Sequence, residues 1–197
     1  MWINYRPMNL TLEQRRIRVF FALWPTAAER DQLAAWLAPL HRLYGGRTLR
    51  GETLHNTLVF IGEVPQDDLA SLQVAAQEVR NDAFELCLDE ARYWGHNHIV
   101  YAAPSQPPPQ LARLASTLAR HLDKHGIKFD QRGYQPHVTL LRNARRTDPP
   151  LPALPPVCWQ ISEFALMQSL NQEGKTNYRV LATFPLHHRP ADAQQAG

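Results

Sequence analysis

The sequence predicts an α+β fold made from a duplicated unit. Three observations predict it. Apolar runs of strand length alternate with stretches of helical periodicity. The second half repeats the strand, helix, short-strand order of the first. In both halves the short strand opens on a histidine, His55 in one and His137 in the other.

Each element has its own signal. Arg16 to Trp24 reads as a strand, because Val19, Phe20, Phe21 and Leu23 sit in a nearly unbroken apolar run. Pro25 and Thr26 open a helix in which Leu33, Trp36, Leu37 and Leu40 recur at helical spacing, and Gly45-Gly46 ends it. His55 to Ile61 is a second strand, closed by Gly62. Pro65 to Arg80 reads as a helix with Leu69, Leu72, Ala76 and Val79 on one face. Phe84 to Trp94 reads as one half-buried strand, since Phe84, Leu86 and Leu88 alternate with polar neighbours.

Gly95-His96-Asn97 is a turn, and His98 to Ala103 the strand after it. A proline-rich entry leads into a helix from Pro109 to His125, stopped by Gly126. Val138 to Leu141 is a short apolar strand. Asp148 to Pro156 holds five prolines and is expected to be a loop of polyproline character. Trp159 to Ser169 and Tyr178 to Phe184 close the chain as two β runs joined at 171–174. The pattern does not specify how strands of the two halves pair.

Composition narrows the class. With 197 residues, 44% of them hydrophobic and 20% charged, the chain suits one compact domain, or two small lobes sharing a core, and not a disordered polymer. Residues 16–186 are expected to form a single domain, with 1–15 a disordered extension and 187–197 a flexible tail. No apolar run approaches the roughly 20 residues that span a bilayer, and Val19 to Trp24 is too short for a secretory core. A cytoplasmic monomer with no membrane contact is therefore expected. Two cysteines are too few for a disulfide framework or a four-cysteine zinc site. Cys87 and Cys158 each lie in a strand-like apolar stretch, so both are expected to be buried free thiols. Of 21 basic residues 18 are arginine, a bias that favours forked contacts to phosphate but also follows from a GC-rich genome.

The chemistry concentrates in two tetrads, His55-Asn56-Thr57-Leu58 and His137-Val138-Thr139-Leu140. One copy would be a weak signal; two in matched contexts are a specific one. Residues two apart in a strand share a face, so His55 with Thr57, and His137 with Thr139, point the same way. If the halves are related by a pseudo-twofold axis, two imidazoles and two hydroxyls converge on one cleft. That set suits a phosphate: hydroxyls donate to non-bridging oxygens, and imidazoles flank the attacking and leaving oxygens. Arg142 lies five residues beyond His137, on the wrong face under strict alternation. A bulge or strand end near Asn143 would be needed to turn it inward.

The tetrads, within Leu-His-Asn-Thr-Leu-Val-Phe-Ile-Gly at 54–62 and Pro-His-Val-Thr-Leu-Leu-Arg at 136–142, resemble the 2H phosphoesterase superfamily. They are most similar to its bacterial branch, the RNA 2′,3′-cyclic phosphodiesterases, also called 2′-5′ RNA ligases. The opening strand 18–23 is similar to that branch's first strand, and the resemblance covers about 16–186. It implies a bilobal fold of duplicated α/β units, with antiparallel sheets lining a central cleft and helices outside. It implies metal-independent opening of a 2′,3′-cyclic phosphate at an RNA 3′ end to the 2′-phosphate, with no cofactor. Some members also join tRNA halves, reversibly, through a 2′-5′ linkage. Carried over by position, His55 is the acid, His137 the base, and Thr57, Thr139 and Arg142 hold the phosphate. Phe60 stands where the first half would carry the counterpart of Arg142.

Tyr134 and Trp94 are candidates for stacking on a nucleobase, with core packing as the plainer alternative. His121 and His125 sit one helical turn apart, but Lys124 lies between them and a solvated helix end is expected. The competing readings of the cleft are a non-catalytic RNA-end-binding module and a phosphodiesterase acting on another cyclic or 2′-5′ nucleotide.

Overall fold

Ten strands and four α-helices make up the described part of the computed structural model, which covers residues 15–145, 152–172 and 174–187. They are β1 (Arg16–Leu23), α1 (Ala27–Ala34), α2 (Leu37–Tyr44), β2 (Arg47–Thr48), β3 (Asn56–Pro65), α3 (Leu69–Gln77), β4 (Phe84–Leu88), β5 (Glu90–Trp94), β6 (Ile99–Ala103), α4 (Pro109–Lys124), β7 (Val138–Arg142), β8 (Val157–Ile161), β9 (Glu163–Gln172) and β10 (Lys175–Pro185). One antiparallel sheet has the order β10-β9-β1-β3, a second β2-β7-β6-β5, and β4 pairs with β8 alone. This is the expected α+β architecture, with two four-stranded sheets and one two-stranded sheet. A continuous buried cluster, including Phe21, Leu54, Leu86, Leu140 and Trp159, joins the lobes into one core.

Helix α4 shows why the sequence folds this way. Pro109 occupies its first turn, where a missing N–H costs nothing. Leu111, Leu114, Leu118 and Leu122 form a stripe at 0% exposure, each contributing about 1.5–3 kcal/mol by burial. Gly126, at φ 69°, ends the run just past the cap. His121 Nδ1, Lys124 Nζ and His125 Nε2 all reach Glu78, at 3.0, 2.9 and 2.8 Å. These histidines are therefore not a free solvated end: they join α4 to the end of α3. Hydrogen bonds from Lys124 and then His125 hold the Glu78 carboxyl down at about 2.

Three local expectations need correction. The predicted helix from Thr26 to Tyr44 is two helices. Thr26 caps the first, with Glu29 closing a capping box, but Pro39 cannot donate to the carbonyl of Ala35, and α1 ends there. The predicted strand from Phe84 to Trp94 divides at Asp89 between two sheets. There the carboxylate accepts from the backbone N–H and hydroxyl of Ser105, at 2.6 and 2.5 Å, and the chain turns. Finally, Cys87 and Cys158 are not buried free thiols. They stand opposite each other on β4 and β8, half-buried and exposed respectively, and are joined as a disulfide.

The extension expected at 1–15 falls, apart from Arg15, outside the described residues. So do positions 188–197 of the expected tail and the first part of the proline loop, through residue 151. His187 is held by its backbone, accepting from Ala83 N–H at 2.8 Å and donating to Asn81 at 2.9 Å. Among the described residues no helix is long and apolar enough to cross a membrane.

Candidate active site

The two histidines come from equivalent places. His55 immediately precedes β3 and His137 immediately precedes β7. Nδ1 of His55 lies 2.7 Å from the carbonyl oxygen of Thr53, and Nδ1 of His137 lies 2.8 Å from that of Gln135. In each case the partner is two residues back. A carbonyl oxygen only accepts, so Nδ1 carries a proton in both rings and Nε2 is left for the cleft. The tautomer needed for acid–base work is thus built into the backbone before substrate arrives.

The strands then repeat one irregularity. In β1·β3 the register passes from Phe21↔Val59 to Ala22↔Thr57, which leaves Leu58 without a partner. In β6·β7 it passes from Val100↔Leu141 to Tyr101↔Thr139, which leaves Leu140 without one. Each bulge places two consecutive residues in the core, Leu58 with Val59 and Leu140 with Leu141. It also reverses the parity of the strand beyond it. Arg142 returns to the face of His137 and Thr139, and Phe60 to the face of His55 and Thr57. The inward turn of Arg142, expected near Asn143, arises inside the strand, at Leu140.

A cleft of about 910 Å³ receives both sets: His55, Thr57, His137, Thr139 and Arg142 all line it. Rings crowd the histidines. Phe20, Tyr178 and Trp24 lie 5.0, 4.9 and 6.0 Å from His55 by centroid. Trp94 and Tyr101 lie edge-on to His137 at 4.6 and 5.8 Å. Burial withdraws water from His55 and lowers it to about 4, helped by the nearby positive charge of His137 and Arg142 and opposed by the Thr53 carbonyl. His137 is lowered by burial and then by Arg142, against the Gln135 carbonyl. Both imidazoles of the free cleft are therefore neutral near pH 7.

The stacking candidates lie beside the cleft. Trp94 and Tyr134 line an adjoining hollow that shares Thr57, Phe60, His137, Thr139 and Arg142 with the cleft. The Tyr134 hydroxyl donates to Asn56 Oδ1 at 2.8 Å, tying the approach to His137 to the residue after His55. Asn56 is fully buried and burial pushes the Tyr134 phenol up. Trp94 packs on Tyr101 as well as on His137.

Sequence reading missed Phe20, Tyr178, Arg18, Arg47 and Lys175, which also line the cleft. Only Arg18 and Phe20 left a signal, since they alternate on one face of β1. The others come from strands distant in the chain. Among the described residues, Glu85, Cys87 and Cys158 are the one group of metal-ligand types close enough to share an ion, and the two sulfurs are already bonded to each other.

The chain is similar to known proteins in sequence and in fold. The family model of the 2′-5′ RNA ligase superfamily matches residues 29–173. The chain is 34% identical over 173 residues to the RNA 2′,3′-cyclic phosphodiesterase of Escherichia coli (strain K12), covering 86% of this chain and 96% of the relative. The crystal structure of E. coli LigT in apo form is similar at TM-score 0.80 and 32% identity, over 87% of this chain and 98% of that one. LigT complexed with 3′-AMP is similar at 0.80 and 32%, over 87% and 99%.

Proposed function

The chain belongs to the 2′-5′ RNA ligase superfamily, and from that premise we propose that it opens the 2′,3′-cyclic phosphate at an RNA 3′ end to a 2′-phosphomonoester. One observation carries the reading. Two imidazoles with matched Nδ1–carbonyl bonds present Nε2 to a single cleft that also holds two threonines and an arginine.

The roles follow from the chemistry. Neutral His137 accepts a proton from water at Nε2 as the water oxygen attacks phosphorus. The new P–O bond forms as the bond from phosphorus to the 3′ oxygen breaks. His55, protonated at Nε2, gives that proton to the 3′ oxygen. Thr57, Thr139 and Arg142 hold the non-bridging oxygens and stabilise the charge that grows on them. Each proton transfer is worth about 10²–10⁴-fold. Because burial keeps both rings neutral in the free cleft, the anionic cyclic phosphate itself restores the proton His55 must donate. No step calls on a metal ion. A 5′-hydroxyl in place of water would leave a 2′-5′ linkage, so ligation of tRNA halves uses the same residues.

The test is incubation of an oligoribonucleotide ending in a 2′,3′-cyclic phosphate with excess EDTA, followed by mapping of the phosphomonoester. The 2′-phosphate is expected, at an unreduced rate. A 3′-phosphate would assign the leaving oxygen wrongly, and loss of activity to the chelator would overturn the two-histidine scheme.

A further inference from the structure

The cleft has an excess of positive charge on one side only. We propose that the side bounded by β1, β2 and β10 is a subsite for the RNA chain 5′ of the cyclic phosphate, taking its next phosphodiester groups on Arg18, Arg47 and Lys175. The proposal rests on the phosphodiesterase reading and extends it to the substrate: an oligonucleotide end in preference to a cyclic mononucleotide.

Four observations support it. First, seven ion pairs are formed among the described residues, and Arg18, Arg47 and Lys175 take part in none, although all three line the cleft. The neighbouring Arg16 and Arg50 are already committed, to Glu63 and Glu52. Second, Arg47 stands directly opposite Arg142 across β2 and β7. Like charges in that register repel, and the scissile phosphate on Arg142 with the next phosphodiester on Arg47 offsets the repulsion.

Third, Arg18 rests on the Phe60 ring, 5.0 Å from its centroid. Phe60 is the pseudo-symmetric counterpart of Arg142, so the first lobe supplies its cation from the adjacent strand, two residues along β1 from Phe20, the register partner of Phe60. Such a cation is placed for a phosphate next to the scissile one. Fourth, the adjoining hollow differs. It carries Asp123 and Asp130 beside Arg120 and Arg132, and Arg132 is bonded to Asp130. A polyanion is drawn to the first side and finds no such preference on the second.

The experiment uses the full chain and the variant Arg18→Gln/Arg47→Gln/Lys175→Gln, with Arg18→Lys/Arg47→Lys as the charge-preserving control. Binding of a fluorescein-labelled hexaribonucleotide ending in a 2′-phosphate is read against salt by anisotropy. Turnover is read on a cyclic-phosphate hexaribonucleotide and on 2′,3′-cyclic AMP. The triple variant should bind the hexamer roughly 10–100-fold more weakly, with a salt slope smaller by about 2, as expected for the loss of three single-strand phosphate contacts. Its kcat/KM on 2′,3′-cyclic AMP should be unchanged, and the lysine control should keep the salt slope. Equal losses on both substrates, or a hexamer bound by the parent chain no more tightly than 2′-AMP, would overturn the subsite. Failure of the parent chain to turn over either substrate would sink the phosphodiesterase reading alone, because the anisotropy measurement decides the subsite without turnover.

Discussion

The two halves of the cleft share a backbone and differ in what surrounds it. Both place a histidine just before a strand, bind its Nδ1 to a carbonyl two residues back, and insert an extra leucine one residue after the threonine. Where they differ, they differ in charge and solvent. The first half offers Phe60 where the second offers Arg142, and three rings gather round His55 but two round His137. Duplication of the backbone thus sets where each nitrogen points. The unduplicated neighbours set how readily it takes a proton. An acid and a base can be made from one repeated motif because those two properties are controlled by different atoms.

The largest expected effect tests what the halves have in common. His55→Ala and His137→Ala should each reduce kcat by about 10²–10⁴-fold, with circular dichroism unchanged. If one of them kept nearly full activity, the halves would not be partners. The next effect tests what distinguishes them. Arg142→Gln should cost about 10²–10³-fold in kcat. It should also raise the apparent pKa values of both histidines, since its charge lowers both; a pH profile unmoved by the substitution would separate Arg142 from the imidazoles.

The smallest effect concerns pH itself. Both free-enzyme histidines titrate below the ordinary 6.5, so the bell-shaped profile of kcat/KM should peak on the acid side of that value, rising through about 4. Stability should move in step. The unfolded chain takes up a proton near 6.5 that folded His55 refuses until about 4, so stability is full above 6.5 and is lost as pH falls through that window, by at most about 3 kcal/mol. Urea titrations of the parent chain and of His55→Gln should diverge only there.

How much of this was legible in the sequence depended on whether a feature is local. The tetrads, the Thr26 cap and the proline start of α4 are written in neighbouring residues, and they were readable. The face of Arg142 was not, because a bulge is a property of two strands: Leu140 is surplus only when counted against Val100 and Tyr101. The division at Asp89 did leave a local mark: the apolar positions run 84, 86, 88 and then 91, 93, a break of phase at Asp89-Glu90, and the bonds to Ser105 hold the chain there. The Pro39 break in the first helix is local, but the apolar stripe of Leu33, Trp36, Leu37 and Leu40 runs across it without interruption. The pairing of Cys87 with Cys158 spans 71 residues and depends on a two-stranded sheet that neither strand announces alone.

That small sheet lies where the chain passes between lobes. The polypeptide leaves the first lobe through β4 to build β5, β6 and β7, and returns through β8 to build β9 and β10. The bond between Cys87 and Cys158 therefore closes the outgoing and returning strands into a covalent ring that carries β5, β6 and β7, while β2 joins their sheet from outside the ring. A single cut anywhere within that ring would leave both pieces of the enzyme attached. The strands that support His137 are thus tied to the rest of the molecule by one riveted loop as well as by the core that both lobes share.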